Sequence, residues 1–123
     1  MAISIIPIYT SRGDPEAFLA FPYLYNRNGE WIGFVTPKRE VYSVLGYYVG
    51  ALTSDPRIIR KRFTAGGLQN LKPPKAPASL RITSTIPLAR LMSDLTPENI
   101  DVLQDEPDLL HTLDAGEMRQ DMD

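Results

Sequence analysis

The chain of 123 residues has no cysteine, one histidine and one tryptophan. Without cysteine there is no disulfide framework, no thiolate metal site, no cysteine nucleophile and no lipidated cysteine. The single histidine, His111, lies among acids in the C-terminal part. A metal centre needs several ligands at fixed spacing and a triad needs an ordered nucleophile beside its base, so His111 points to neither. The carboxylates around it lack the glycine-punctuated loop of a calcium hand. No cofactor and no catalytic residues are expected, and the chain reads as a non-enzyme. No stretch approaches the roughly 18 apolar residues of a membrane span. The opening residues MAISIIPIYT have no basic segment, no long apolar run and no small-residue cleavage site. No signal peptide is therefore expected, and the cytoplasm is the expected compartment.

What is present is the composition of a globular chain, 43% hydrophobic and 23% charged, with length for one modest core. Eleven prolines are many for this length. The net charge of −2 hides a split: residues 1–93 hold twelve Lys or Arg against five acids, and residues 94–123 hold Arg119 against ten. Two parts of opposite sign attract at low salt.

The organising feature is a repeat. Leu24-Tyr25, Gly29 and Gly33 recur 17 positions later as Val41-Tyr42, Gly46 and Gly50. A step of 16 backwards reaches Ile8-Tyr9, Gly13 and Ala17, and 17 forwards reaches Ile58-Ile59, Phe63 and Gly67. Self-similarity at a fixed period signals repeated structural units. Short apolar and β-branched runs between turn clusters make each unit a pair of strands. Asn26-Arg27-Asn28-Gly29 suits a tight hairpin because Asn and Gly tolerate the left-handed conformation. Gly33 and Gly50 fall inside strands, where glycine marks a bulge, a bend or a close backbone approach. Pro7 and Pro22 mark an edge position or a strand break. The expected fold is mainly β: an antiparallel meander of four repeats curling into a shallow barrel over residues 1–68, the fourth unit being the degenerate one. A Pro-rich linker over 69–85 follows, containing Pro73-Pro74 and Pro77, and then an acidic, partly helical tail over 86–123. In that tail Leu88, Leu91, Met92 and Leu95 share one face of a predicted short helix that could grip a partner's groove or dock on the chain itself. Thr96-Pro97 reads as the start of a second helix.

Two residue sets could carry binding. Arg57, Arg60, Lys61 and Arg62, with Lys38 and Arg39 nearby, would give a basic face for anionic lipid head groups or nucleic acid. The same charges also suit an edge strand protected against aggregation. Phe18, Phe21, Trp31, Phe34, Tyr47 and Tyr48 could line a cavity or stack bases, although aromatics in a short-stranded domain generally form its core.

The phrase from Leu24 to Val35 and its echo from Val41 to Gly50 resemble the bacterial four-fold β-flower domain. Its units run from an apolar residue and an aromatic or acidic one through a glycine turn to an apolar strand containing Gly or Ala. The segment Phe63-Thr64-Ala65-Gly66-Gly67-Leu68, with Lys72-Pro73-Pro74 after it, is similar to what often follows that domain. The resemblance covers about residues 3–75 and implies a shallow pseudo-symmetric barrel, related in shape to the tubby-like lipid-binding fold. It implies no catalytic residues. The functional expectation is an interaction or assembly domain whose acidic tail docks on itself or on a protein partner, homo-oligomers included. The alternative is a binder of anionic ligands through the basic face.

Overall fold

Four residues in the same place of each unit are fully sealed from solvent: Ile8, Leu24, Val41 and Ile58, each 0% exposed. They head a sheet of eight antiparallel strands paired in chain order. The strands are β1 (Ile6–Tyr9), β2 (Pro15–Ala20), β3 (Tyr23–Tyr25), β4 (Trp31–Val35), β5 (Glu40–Ser43), β6 (Tyr48–Leu52), β7 (Ile58–Lys61) and β8 (Asn99–Asp101). A short helix α1 (Val102–Asp105) and a 3₁₀ turn (Pro107–Leu109) follow. The computed structural model describes residues 5–62, 71–82, 86–89, 91–92 and 94–113. The sheet is a curled half-barrel, and no helix among the described residues is long and apolar enough to cross a membrane.

The repeat is visible at each turn. Thr10, Asn26 and Ser43 open the three hairpins, and their side-chain oxygens accept the backbone N–H groups two and four residues on. Gly13, Gly29 and Gly46 close the same turns at φ of 90°, 79° and 90°, a conformation that residues with a Cβ adopt at a cost. The register slips once in each of these units, at Ile8/Tyr9, Leu24/Tyr25 and Val41/Tyr42. Such bulges increase twist and bend the strand. The strand-interior glycines do serve a close approach: a Cβ on Gly33 would overlap the Tyr42 carbonyl oxygen, and one on Gly50 would stand 2.9 Å from that of Ile59. Pro7 lies in β1, at the end of the sheet order, and Pro22 lies between β2 and β3.

The fourth hairpin is assembled differently. Strand β7 finds its partner in β8, with Ile59 opposite Asp101 and Lys61 opposite Asn99. Continuing that register sets the sealed Val102 opposite Ile58, where Ala17, Gly33 and Gly50 stand opposite Ile8, Leu24 and Val41. Phe63 and Gly67, expected to complete this unit, lie outside the described residues. From β8 the chain turns inward, and Val102, Leu103 and Leu110 join the strand side chains in one core. The first strand meets the far end of the meander through Tyr9, whose N–H donates to the Pro56 carbonyl at 3.1 Å. Asp101 strengthens that seam: its Oδ2 accepts both the backbone N–H and the hydroxyl of Ser11 at 2.6 Å.

Residues 71–82 carry neither helix nor strand and run over the hairpin turns in reverse order. Leu71 donates its N–H to Gly46 O at 2.9 Å and Leu80 to Gly29 O at 2.8 Å. Ala89 then lies against Gly13, and Glu98 accepts the N–H of Arg62. The four contacts are nine residues apart along the chain, so the C-terminal segment is a strap marked off one unit at a time. The helix expected over Leu88, Leu91, Met92 and Leu95 is absent among the described residues, all of which are coil there. Nine residues span about 14 Å as a helix but about 30 Å when extended, and the strap has a unit's width to cross in nine. Thr96-Pro97 likewise precedes β8 rather than a helix; α1 begins after Asp101, whose Oδ1 accepts the Gln104 N–H at 3.3 Å.

Candidate functional site

The basic cluster does not form one surface. Arg57 and Arg60 are 4% and 7% exposed. Arg57 is clasped by Asp55, Nε at 3.1 Å and Nη2 at 2.6 Å, and its Nη1 donates to Ser11 Oγ at 2.9 Å. Burial pushes the Asp55 carboxyl up, but the hydrogen bonds from Arg57 and Thr53 and the Arg57 charge outweigh this and leave it below its ordinary value. Arg60 pairs with Glu106, while its buried Nε has no hydrogen-bond partner among the described residues. Burial of two cations in matched pairs is a structural arrangement: desolvated ions are tolerated only where partners compensate them. Lys61 and Arg62 remain exposed, and Arg62 Nε donates to the Pro97 carbonyl at 2.9 Å, pinning the strap. Lys38 and Arg39 are exposed on the β4–β5 turn.

Of the tail residues, Leu88 and Leu91 project into solvent at 95% and 102% exposure. Met92 and Leu95 are half-buried and line a cleft with Ser11, Arg57 and Asp101. The tyrosines of the repeat, Tyr9, Tyr25 and Tyr42, are buried. Tyr25 packs with Trp31, Leu80 and Leu113, and Tyr9 donates its hydroxyl to Pro87 O at 2.6 Å, so these rings seat the strap. Phe34 stacks on Tyr42 with ring centroids 5.4 Å apart, and Tyr48 meets Tyr42 edge-on at 5.8 Å. Burial raises the tyrosine pKa at Tyr25, Tyr42 and Tyr48, with Tyr23 adding to it at the first and Glu40 at the other two.

A concave feature with ligand-like dimensions lies elsewhere. A cavity of 680 Å³ opens between the loops that join one unit to the next. Its inner wall is Leu19, Val35 and Leu52, each two residues past the small strand-interior residues Ala17, Gly33 and Gly50. Three units thus contribute the same position, which places the cavity at the mouth of the curled sheet. Its outer wall includes Ile6, Phe21 and Leu88, with Ile6 44% and Phe21 59% exposed. Arg39, Thr36, Thr53, Ser54 and Asp55 supply the polar groups. Arg39 has φ of 65° and donates from Nε to Leu52 O at 3.0 Å and from Nη2 to Thr53 O at 2.9 Å.

Phe21 is therefore the one of the six singled-out aromatics that reaches this mouth. Tyr47 and Tyr48 line a second, more polar cavity of 460 Å³ with Arg60, Glu106 and His111, while Phe18, Trp31 and Phe34 are buried. Sequence reasoning had not identified Leu19, Val35 and Leu52. The signal was available, since alternation along a strand puts residues i and i+2 on one face, and all three follow the repeat's small residue at that spacing. Among the described residues no group of three or more His, Asp or Glu is arranged to hold a metal ion.

The model of the family described as "4-fold beta flower protein" matches residues 6–91. The chain belongs to this family. The match extends past the barrel strands and takes in the strap as far as Leu91, so the β-flower unit and its strap fall within one family pattern. No curated protein and no solved structure matches the chain.

Proposed function

We propose that this β-flower domain is a non-catalytic binding module whose working surface is the apolar mouth. One observation carries the reading: a 680 Å³ cavity walled by Leu19, Val35 and Leu52 keeps Ile6, Phe21 and Leu88 around its opening. Ligand sites occupy about 300–1,000 Å³, mostly apolar with a few placed polar groups. A large aromatic left in water at the lip of such a cavity gains its burial energy only when something fills the site. The occupant is an apolar group, whether of a small ligand or a partner's side chain. A broad electropositive face fits less well, because two of its six cations are neutralised inside the molecule.

Fluorescence titration with N-phenylnaphthylamine, a neutral aromatic probe, tests this. The full chain should bind one equivalent saturably, and Phe21→Asp should weaken binding by about ten-fold or more, because a carboxylate replaces apolar contact area. Phe21 is largely exposed, so the melting temperature should stay close to that of the parent. No saturable binding by the parent, or equal binding by Phe21→Asp, overturns the reading.

A further inference from the structure

We infer that the mouth takes a single-chain or aromatic amphiphile bearing one negative charge; this rests on the binding-module reading above. Among the described residues the mouth contains two side chains that are charged at neutral pH, Arg39 and Asp55. Asp55 is already matched: Arg57 contacts one of its oxygens at 2.6 and 3.1 Å and Thr53 donates to the other. Its charge is spent within the fold. Arg39 differs, since its two hydrogen bonds go to the carbonyls of Leu52 and Thr53, which are neutral. Among the described residues Nη1 is left without a hydrogen-bond partner, and no carboxylate pairs with the guanidinium. The uncompensated charge at this apolar opening is therefore positive, and Lys38 is the preceding residue in the chain.

The two carbonyl bonds have a second consequence. An exposed arginine ordinarily loses rotamer freedom on gripping a ligand, which weakens binding. Here Leu52 and Thr53 hold the side chain in place beforehand, and Leu52 is itself part of the inner wall. One end of the ligand thus meets a fixed cation while its body meets aliphatic walls. A cationic ligand would meet repulsion at Arg39, and a neutral apolar one would offer Nη1 no acceptor as it loses water. One fixed guanidinium, the one cation among the described lining residues, matches one anionic group, such as a carboxylate or sulfonate.

Two probes with the same aromatic skeleton separate this inference from the reading beneath it: anilinonaphthalene sulfonate, which is anionic, and the neutral N-phenylnaphthylamine. The full chain at low salt should bind the sulfonate about ten-fold more tightly, the weight of one charge-assisted hydrogen bond. Decanoate should displace the sulfonate at lower concentration than decanol does. Arg39→Gln should bring the ratio of the two probe affinities close to one, and Arg39→Lys should retain a preference for the anion. Melting curves establish that both variants are folded. If the parent binds both probes equally, or if Arg39→Gln weakens both in parallel, the charge assignment is wrong and the apolar site stands. If the parent binds neither, the binding-module reading fails as well.

Discussion

At the level of single residues, the buried cations Arg57 and Arg60 and their half-buried partners Asp55 and Glu106 decide how the molecule treats its own electrostatics. Each cation left water for one carboxylate, so removing the carboxylate leaves a buried charge without compensation. Breaking a fully buried pair costs about 3–5 kcal/mol, but Glu106 is 38% exposed along its side chain, so Glu106→Ala should cost about 1–3 kcal/mol, read from urea denaturation. Asp55 makes a prediction about pH. Its folded-state pKa lies below the ordinary 3.8, so its stabilising contribution is complete above that value and disappears as pH falls through the depressed one. The stability gap between the parent and Asp55→Asn should therefore be widest above pH 3.8 and close under more acid conditions. A gap constant with pH would remove this role. The tyrosines act at the other extreme. Tyr25, Tyr42 and Tyr48 have pKa values raised above 10.0, so their contribution is present below that pH and lost as pH rises through the raised values. The tyrosinate absorbance of these three should appear together with alkaline unfolding rather than ahead of it.

At the level of elements, the hairpins and the strap differ in how much of them the sequence revealed. Thr10, Asn26 and Ser43 at the turn starts and Gly13, Gly29 and Gly46 at their ends are residue types with a mechanical reason to be there, and the barrel of paired strands follows from them. The buried anchors Ile8, Leu24, Val41 and Ile58 were legible for the same reason. The strap was not. Leu71, Leu80, Ala89 and Glu98 do not repeat one residue type, and at three of these positions the contact with the units includes a backbone hydrogen bond. A pattern borne by the main chain leaves no trace in residue type. The apolar spacing at Leu88, Leu91, Met92 and Leu95 imitates a helix because two of the four face water and two face the cleft, an arrangement that periodicity alone does not distinguish. The mouth lay between these cases, since its inner wall repeats with the units but its rim depends on where Phe21 and Leu88 are brought by separate loops. Gly29 and Gly13 offer a test of the strap. Both have positive φ, so alanine at either should cost about 1–2 kcal/mol in backbone strain. On Gly29 the new Cβ also overlaps the Leu80 carbonyl, while on Gly13 it meets, among the described residues, the Ala89 Cβ at 3.6 Å. Gly29→Ala should therefore accelerate hydrogen exchange at the Leu80 amide well beyond the global loss of stability, and Gly13→Ala should not. Equal exchange in the two variants would show that the strap is not seated through Gly29.

For the molecule as a whole, the cationic first part and the acidic last part meet through placed contacts rather than diffuse attraction. Strand β8 supplies the partner that β7 takes, and Asp101, Glu98 and Glu106 reach Ser11, Arg62 and Arg60 across the seam. The chain is thus closed by a segment distant in sequence, and the fourth unit is completed only when the strap has crossed the other three. Closing so long a loop adds little thermodynamic cost, since the entropy grows only with the logarithm of its length. The energetic weight lies in Val102, Leu103 and Leu110, which sit in the same core as the strand anchors. Burying three such side chains contributes about 5–9 kcal/mol, comparable with the total stability of a domain, about 5–15 kcal/mol. A chain ending at residue 98 should therefore lose its cooperative thermal transition, followed by circular dichroism. Adding a peptide of residues 99–113 in excess should restore the transition in a concentration-dependent way. The Arg60–Glu106 pair should make that rescue weaken with salt. A truncated chain that melts like the parent would mean that the half-barrel is stable without its closing segment, and the C-terminal part would then be free to act on something outside the chain.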